Sequence, residues 1–433
     1  MTQSKSKYFL AILLPLLLSG CLGTRYLKEN EKRLVAQSII VPKHIDKEEL
    51  KELYAQRPNR RFLGIPGLYH LVGMYYYGLR HYDKQKFIDK KEAVEKKFNA
   101  RITRTTNQRK INNLQFRKQK KIDRLNSRIE NGNLFMQWGE PIAVYDSASV
   151  KMTLDRFSAY LFAEGYFHNF VSTKISSIGR YVYVTFRVDP GMPYIIDSLI
   201  YRIQDEQVRK IIQQNKDESL IREGQRYQEQ ILAAERERLD LFLKDNGYYD
   251  FSRQYIDYQI DTGSLGNRRV ALALVVNNPA RRGYHKVFTV DSVKFTTDAG
   301  VDADGRHRVS RYYRDIEYQY FENYYNLKIL SQRLFVSADE RYSRTKTFNS
   351  QRQLANLDAF KFVNINYDTS GGRFIANIFT SPLDRYEWSN EIGMNVTQGY
   401  PGPFYNLTFK KRNIFRGLEN FELNGRIGFE GVA

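Results

Sequence analysis

The amino-acid sequence predicts an α+β protein in which repeated small domains are followed by an antiparallel β-sheet. Three observations support this fold class. A unit made of a helix, a glycine–aromatic corner and two strands occurs twice, with its corners at Gly165 and Gly247. The end of the chain, 385–430, alternates apolar and polar residues with a period of two. Aromatic residues make up 14% of the chain, which suits strand-rich folds.

The first 21 residues have the pattern of a bacterial export signal. Lys5 and Lys7 form a positive segment, and the apolar stretch 8–18 is shorter than the roughly 20 residues that span a bilayer. The sequence Leu-Ser-Gly-Cys that ends at Cys21 is similar to the lipobox of bacterial lipoproteins, whose cysteine receives a diacylglycerol and an N-acyl chain. Cys21 is also the only cysteine, so no disulfide forms within the chain. We therefore predict a lipid-anchored protein on the periplasmic side of the outer membrane.

The segment 83–131 carries half of the chain's net charge of +20. It holds sixteen Lys and Arg against six Asp and Glu, which leaves it at +10. Sparse apolar residues recur at helical spacing, and this predicts one or two long amphipathic helices. One interpretation is a solvated helical face, and the other is contact with anionic lipid head groups. The candidate head-group contacts are Lys90, Lys97, Arg101, Arg104, Lys118 and Lys121. Nucleic acid is excluded as a partner, because an exported chain meets none in the periplasm.

The repeat predicts three small domains of the order strand, helix, helix, strand, strand. The third copy lacks the glycine–tyrosine corner and has 356–363 in its place. In the first domain we predict strands at 32–41, 170–178 and 181–189 and helices at 47–55 and 150–163. In the second we predict strands at 194–203, 255–261 and 269–276 and a helix at 228–244. In the third we predict strands at 287–295, 362–367 and 374–379 and a helix at 350–357. The aromatic-rich stretch 69–82 is predicted to be a loop that packs against the first domain.

The end of the chain is predicted to form three amphipathic strands. In the first strand Trp388, Asn390, Ile392, Met394 and Val396 share one face. Two further runs follow the turns at 399–403 and 413–419. Runs of about ten residues with this alternation are typical of a transmembrane β-barrel. An ordinary half-buried antiparallel sheet shows the same alternation and stays open as an alternative.

The lipobox, the three repeats and the amphipathic strands together resemble the BamA/TamA family of outer-membrane proteins, in which POTRA domains precede a bacterial surface antigen barrel. The lipid-anchored branch, the translocation and assembly module lipoprotein, gives the closest resemblance. It implies a signal peptide at 1–21, POTRA-like domains at 25–191 (with the basic insertion 83–131), 192–281 and 285–383, and the first three barrel strands at 385–433. The residues Asn413, Phe415 and Gly417 resemble the family's Asn-x-Phe-Gly barrel turn, although Arg416 stands where glycine is usual.

The resemblance implies a factor that inserts proteins into the outer membrane. POTRA strand edges would capture unfolded β-barrel clients, and the first barrel strand would template their insertion. The implied partners are unfolded outer-membrane proteins, outer-membrane lipid and an inner-membrane-anchored protein that spans the periplasm. Beyond the acyl chains on Cys21, we expect no cofactor and no metal. The sequence contains no catalytic motif, so we expect no enzyme activity.

Two other functions stay open from the sequence. The chain could be a periplasmic lipoprotein scaffold whose last strands close a soluble sheet, or a two-partner-type secretion pore. The family's barrel has sixteen strands and this sequence reaches three. We therefore expect a fragment or an incomplete gene model that does not close a barrel by itself.

Overall fold

The computed structural model describes residues 24–60, 70–263, 268–301, 307–397 and 400–429. The predicted export signal and Cys21 lie outside the described residues. The chain forms two compact units, 1–193 and 194–433. Among the described helices, none combines the length and hydrophobicity that crossing a bilayer requires.

The first domain has the predicted strand–helix–helix–strand–strand order, with four helices inserted between its two core helices. Its elements are β1 (Arg33–Ile40), α1 (Lys47–Glu52), α2 (His70–Arg80), α3 (Lys84–Thr103), α4 (Gln108–Asn131), α5 (Leu134–Trp138), α6 (Ser147–Ala163), β2 (Phe170–Ile178) and β3 (Tyr181–Asp189). The sheet has the order β1-β3-β2, in which β1 runs parallel to β3 and β2 antiparallel to it. The prediction of a loop at 69–82 is wrong, because most of that stretch forms α2.

The core of the first domain lies between α6 and the sheet. Phe157 and Leu161 of α6 are fully buried beside Val184 and Phe186 of β3. Asp146 caps the start of α6 by accepting hydrogen bonds from the backbone N–H groups of 148 and 149. The predicted corner residue Gly165 has φ 85°, so the left-handed conformation that ends the helix needs a residue without Cβ.

The second domain repeats this topology without the insertion. Its elements are β4 (Ile195–Ile203), α7 (Glu206–Gln214), short 3-10 turns at Lys216–Glu218 and Arg253–Tyr255, α8 (Glu229–Asp245), β5 (Ile256–Asp261) and β6 (Arg269–Val276). The sheet order is β4-β6-β5, again with the first strand parallel to the last. Leu239 and Leu243 of α8 are fully buried against β6. The corner residue Gly247 has φ 101°, which matches the corner of the first domain.

The third domain contains a β-hairpin that the sequence did not predict. Its elements are β7 (Ser292–Thr296), β8 (Val309–Tyr313), β9 (Ile316–Tyr320), α9 (Leu327–Ser331), α10 (Arg344–Ala355), β10 (Phe360–Asp368) and β11 (Ile375–Pro382). The hairpin β8–β9 extends the sheet beyond β7 and gives five strands in the order β10-β11-β7-β9-β8. Two element boundaries differ from the prediction. β7 starts five residues later than the predicted strand at 287–295, and α10 starts six residues earlier than the predicted helix at 350–357.

The second and third domains share aromatic packing through the corner after α8. Tyr248 is fully buried in the core of the second domain. The next residue, Tyr249, packs against the core of the third domain, with its ring 5.0 Å from Tyr342 and 5.0 Å from Phe374. Asp245 accepts a 2.8 Å hydrogen bond from the backbone N–H of Thr345 at the start of α10. One turn of chain thus stabilises both cores.

The chain ends in a three-stranded antiparallel sheet. Its strands are β12 (Tyr386–Thr397), β13 (Tyr400–Arg412) and β14 (Asn420–Gly428), paired in chain order. β11 ends at Pro382 and β12 begins at Tyr386, so only three residues separate the third domain from this sheet.

Candidate functional site: the C-terminal sheet

The three C-terminal strands present one continuous apolar face. In an antiparallel sheet, directly opposed residues point to the same side, so the pairing defines rows across the strands. The rows on this face are Tyr386–Lys411–Phe421, Trp388–Phe409–Leu423, Asn390–Leu407–Gly425, Ile392–Tyr405–Ile427 and Met394–Pro403. The structure therefore brings Trp388, Asn390, Ile392 and Met394 together on one face. The register gives Val396 the same alternating position, opposite Pro401.

The apolar face of this sheet is exposed. Ile392 is 82% exposed, Met394 68% and Trp388 64%. A half-buried sheet in a water-soluble core would cover its apolar face and leave only the polar one in solvent. An extended apolar surface of this kind marks a contact with lipid or with another protein.

The one amide on the apolar face has a hydrogen-bond partner within the sheet. The Tyr405 hydroxyl donates to Oδ1 of Asn390 at 2.7 Å, across the β12–β13 pair. A polar group that enters an apolar medium costs free energy unless it is hydrogen-bonded. The pair therefore lowers the cost of placing Asn390 in an apolar environment.

The opposite face of the sheet is polar. Its rows include Glu387–Lys410–Glu422, Ser389–Thr408–Asn424 and Glu391–Asn406–Arg426. Asn424 donates to the Thr408 hydroxyl at 2.8 Å. An apolar outer face backed by a polar inner face is the pattern of strands in an outer-membrane barrel.

Both outer strands of this sheet have an edge without a strand partner. Within the described residues, β12 and β14 each pair only with β13. Every second residue of an edge strand directs its N–H and C=O groups outward, so an edge can pair with an added strand. The edge of β12 lies directly after the third domain, and that is where the first barrel strand was predicted.

The turn between β13 and β14 attaches the sheet to the third domain. The side chain of Asn413 donates to the Tyr324 carbonyl at 2.7 Å and accepts from the Leu418 N–H at 3.0 Å. The Asn326 N–H donates to the Arg416 carbonyl at 2.8 Å. The Leu418 side chain is 9% exposed and belongs to the core of the third domain. The turn is therefore held by the Asn413 side chain, by one backbone hydrogen bond and by the buried Leu418 side chain.

The predicted turn residues have different roles. Asn413 makes the contacts just described, whereas Phe415 is 80% exposed. Arg416 adopts φ 65°, so the left-handed position expected for glycine is occupied by arginine. Gly417 does not have a positive φ, and its N–H donates to the Glu419 carboxylate at 3.0 Å.

A small charge network lies beside this turn. The Lys410 ammonium is 2.5 Å and the Arg412 guanidinium 3.5 Å from the carboxylate of Asp358, which belongs to the third domain. Arg412 is also paired with Glu387 of β12. Burial raises the pKa of Asp358, but the two cations lower it more, so the net shift is below the ordinary value. The ionised Asp358 therefore stabilises the attachment of β13.

Sequence reasoning missed the residues that make this attachment. Asp358, Tyr324 and Asn326 carry no motif, and they meet the turn only after the third domain has folded.

The head-group candidates lie elsewhere, on α3, α4 and the loop between them in the first compact unit. Among the described residues, no group of three or more His, Cys, Asp or Glu side chains is arranged to hold a metal ion.

The chain contains three domains with a β-α-α-β-β core, the first with a helical insertion and the third with an added hairpin, and an amphipathic antiparallel sheet follows the third domain. No family model and no curated protein matches the sequence. Among solved structures, the chain is similar to POTRA3-5 of BamA from Haemophilus influenzae, at 12% identity and a TM-score of 0.34, over 82% of this chain and 99% of that one.

Two further solved structures are similar over about half of the chain. BamA from Haemophilus ducreyi lacking POTRA domains 1-3 has 13% identity and a TM-score of 0.36, over 54% of this chain and 37% of that one. CdiB from Acinetobacter baumannii has 11% identity and a TM-score of 0.25, over 55% of this chain and 39% of that one. The chain thus spans less than half the length of either protein.

Proposed function

We propose that this protein is an outer-membrane assembly factor of the BamA/TamA type. Cys21 carries the lipid anchor, the three POTRA-like domains lie in the periplasm, and the C-terminal sheet enters the outer membrane. The observation that supports this best is the exposed apolar face of β12–β14 together with the unpaired edge of β12. The protein acts by binding and templating, without an enzymatic step.

Strand addition drives the proposed mechanism. A client hairpin in lipid must pair its backbone polar groups, because each unsatisfied group costs several kcal/mol there. The edge of β12 offers such partners at the point where the sheet leaves the third domain. The apolar row residues Trp388, Ile392 and Met394 keep that edge in the lipid. The outer strands of the domain sheets, such as β2 and β5, hold the client before insertion.

The proposed partners follow from this mechanism. They are unfolded outer-membrane proteins as clients, outer-membrane lipid around the sheet, and an inner-membrane-anchored protein that spans the periplasm. Main-chain pairing places little demand on client sequence. The protein should therefore act on several β-barrel clients.

A pair of proline variants tests the templating edge. In an antiparallel edge strand, neighbouring N–H groups point alternately to the partner strand and to the open edge. Glu391→Pro and Ile392→Pro therefore remove one donor of each kind. We expect the variant that loses the outward donor to keep its melting temperature but to lose client insertion, and the other to lose stability. The assay measures protease-protected client barrels in vesicles that contain the chain in its full natural length.

The outcomes separate the proposal from the alternatives. Client insertion at the wild-type rate in both variants would refute a templating role for β12. A chain that fractionates as a soluble protein after Cys21→Ser would favour the periplasmic scaffold. Insertion or export of one dedicated client, with no effect on unrelated barrels, would favour a two-partner-type pore.

A further inference from the structure

The chain segment after Cys21 is docked on the first domain. The Tyr26 ring stacks on the Tyr76 ring of α2 with centroids 3.9 Å apart, and Leu27 is buried beside Val72 and Ile142. Tyr26 is five residue steps from Cys21 in sequence, and five extended steps reach about 18 Å at most. If Cys21 carries the proposed acyl chains, α2 lies within that reach of the anchor point.

An exposed aromatic patch lies beside this docking point, where α5 packs on α2. Trp138 is 60% exposed, and Leu134, Phe135 and Tyr77 are exposed as well. The Phe135 and Tyr77 rings meet edge to face with centroids 5.2 Å apart. The side chain of Asn133 holds α5 in place by donating to the Gly78 carbonyl at 2.7 Å. Exposed Trp and Tyr side chains of this kind are typical of the membrane–water interface.

Four of the seven basic residues of α3 lie on one flank of the helix, and Lys84, Lys91 and Lys96 lie outside it. At about 100° per residue, Lys86, Lys90, Lys97 and Arg101 fall within a sector of about 60°. The acidic residues of α3 fall outside that sector, at positions 89, 92 and 95. All four basic side chains are exposed.

Five of the eight basic residues of α4 have the same arrangement, and Arg109, Lys118 and Lys120 lie outside it. Lys110, Arg117, Lys121, Arg124 and Arg128 occupy one sector of about 60°, away from the acids at 123 and 130, and all are exposed. Because α3 and α4 are antiparallel and face each other through their apolar residues, the two basic flanks lie on the same side of the hairpin. We call these nine residues the basic face.

Ring contacts between the helices agree with this geometry. The Lys121 ammonium lies 5.5 Å from the Phe98 ring centroid, and the Arg128 guanidinium lies 5.8 Å from that of Phe87. Side chains of the α4 flank thus reach over α3. By contrast, the predicted contact residue Lys118 is half-buried and donates to Asn99 at 2.8 Å, so it lies between the helices rather than on the basic face.

The charges of the basic face are not neutralised within the hairpin. None of the ion pairs among the described residues involves a residue of 84–131. Two of the acids bind glutamines instead, since Gln85 donates to Asp89 and Gln119 to Asp123. Exposed cations gathered on one face attract an anionic surface, at about 1 kcal/mol per Lys or Arg close to a membrane.

We propose that the helical insertion of the first domain is a membrane-docking element. The aromatic patch enters the head-group region and the basic face binds anionic phospholipid head groups of the same leaflet that holds the anchor. This inference rests on the proposed lipid anchor at Cys21, because the short tether is what brings the patch to the membrane. It adds a second membrane contact, apart from the C-terminal sheet.

Vesicle binding of the whole chain tests the basic face. The chain carries Cys21→Ser, so that no acyl chain contributes, and the vesicles are phosphatidylcholine with or without phosphatidylglycerol. One variant combines Lys90→Gln, Lys97→Gln and Arg124→Gln on the basic face. The matched control combines Lys96→Gln, Arg109→Gln and Lys120→Gln on other flanks and removes the same net charge.

We expect a preference for phosphatidylglycerol vesicles that weakens with salt. The basic-face variant should lose roughly 100-fold in this affinity, and the control much less. Equal losses of vesicle affinity in both variants would show that only net charge matters, and this would overturn the assignment of the basic face as the lipid contact. The absence of any preference for phosphatidylglycerol vesicles would overturn it as well. Displacement of the vesicles by polyglutamate at equal charge would point to an acidic protein and would also overturn it. Failed client insertion with an intact lipid preference would count only against the proposed assembly function.

Tryptophan fluorescence tests the aromatic patch separately. The chain has two tryptophans, so Trp388→Phe leaves Trp138 as the single reporter. We expect its emission to shift to shorter wavelength when anionic vesicles are added. An unchanged spectrum at saturating vesicle concentration would refute entry of the patch into the head-group region.

Discussion

The attachment of the C-terminal sheet depends on Asn413, and its substitution gives a graded prediction. The side chain of Asn413 makes two hydrogen bonds, one to the Tyr324 carbonyl and one from the Leu418 N–H. Its backbone has φ 52°, in the left-handed region. Asparagine tolerates this conformation, whereas alanine pays about 1 kcal/mol for it and glycine pays nothing comparable.

The expected losses of turn stability follow from these contacts. Asn413→Gly removes two hydrogen bonds of about 1 kcal/mol each, so the turn should be destabilised by about 2 kcal/mol. Asn413→Ala adds the backbone cost, for a total of about 3 kcal/mol. Phe415→Ala is the matched control in the same turn, because its exposed ring should contribute less than about 0.5 kcal/mol.

Hydrogen exchange of the Asn326 amide measures this directly, since that N–H donates to the Arg416 carbonyl of the turn and is released when the turn opens. At 1.4 kcal/mol per tenfold change, exchange should accelerate about 30-fold in the glycine variant and about 150-fold in the alanine variant. Equal rates in the two variants would refute the backbone argument. Wild-type rates in both would refute the hydrogen bonds themselves.

Three further predictions concern the joint, the charge network and the anchor. Tyr249→Ala should lower the stability of the third domain by about 3 kcal/mol in denaturant unfolding, whereas Tyr249→Phe keeps the ring contacts and should change it by less than about 1 kcal/mol. Ionised Asp358 stabilises the fold at pH values above the ordinary carboxyl pKa of about 3.9, and this contribution is lost as the pH falls through its lowered folded-state pKa. Asp358→Asn should lack this acid-dependent loss of melting temperature. If the variant showed the same pH profile as the wild type, the pKa shift would be contradicted. Cys21→Ser should abolish incorporation of labelled palmitate, and retained label would show that lipid is attached elsewhere.

The domain topology could be predicted from the sequence because the signals are local. The alternation in 181–189 and 269–276 gave β3 and β6 at the predicted bounds. The corner glycines Gly165 and Gly247 adopt the left-handed conformation that such helix ends require. The assignment of β12 residues to the apolar face also followed from alternation, since a shift by one residue would turn every apolar side chain to the polar face.

The hairpin β8–β9 could not be predicted, because its turn has no sequence signal. A two-residue hairpin turn of this kind needs a positive φ at both central residues, for which Asn-Gly is the usual pair. Here Arg314 and Asp315 occupy those positions, with φ 50° and 59°. The sheet attachment was equally hidden, because Asp358 and Lys410 are distant in sequence and meet only in the folded third domain. No spacing rule connects such residues.

In the proposed mechanism the edge of β12 pairs with a client strand. Residues 1–433 contain no cysteine besides Cys21, which the proposed acylation blocks, so single cysteines placed along 387–394 are the only free thiols of this sequence. Any cysteine beyond residue 433 in the full natural length is replaced by serine. Each is tested for disulfide formation with cysteines scanned along the terminal strand of an unfolded barrel client. We predict crosslinks in one register, in which each step along β12 moves the crosslinked client position by one residue. Crosslinks that do not move with position, or none at all while the client is still inserted, would contradict the account.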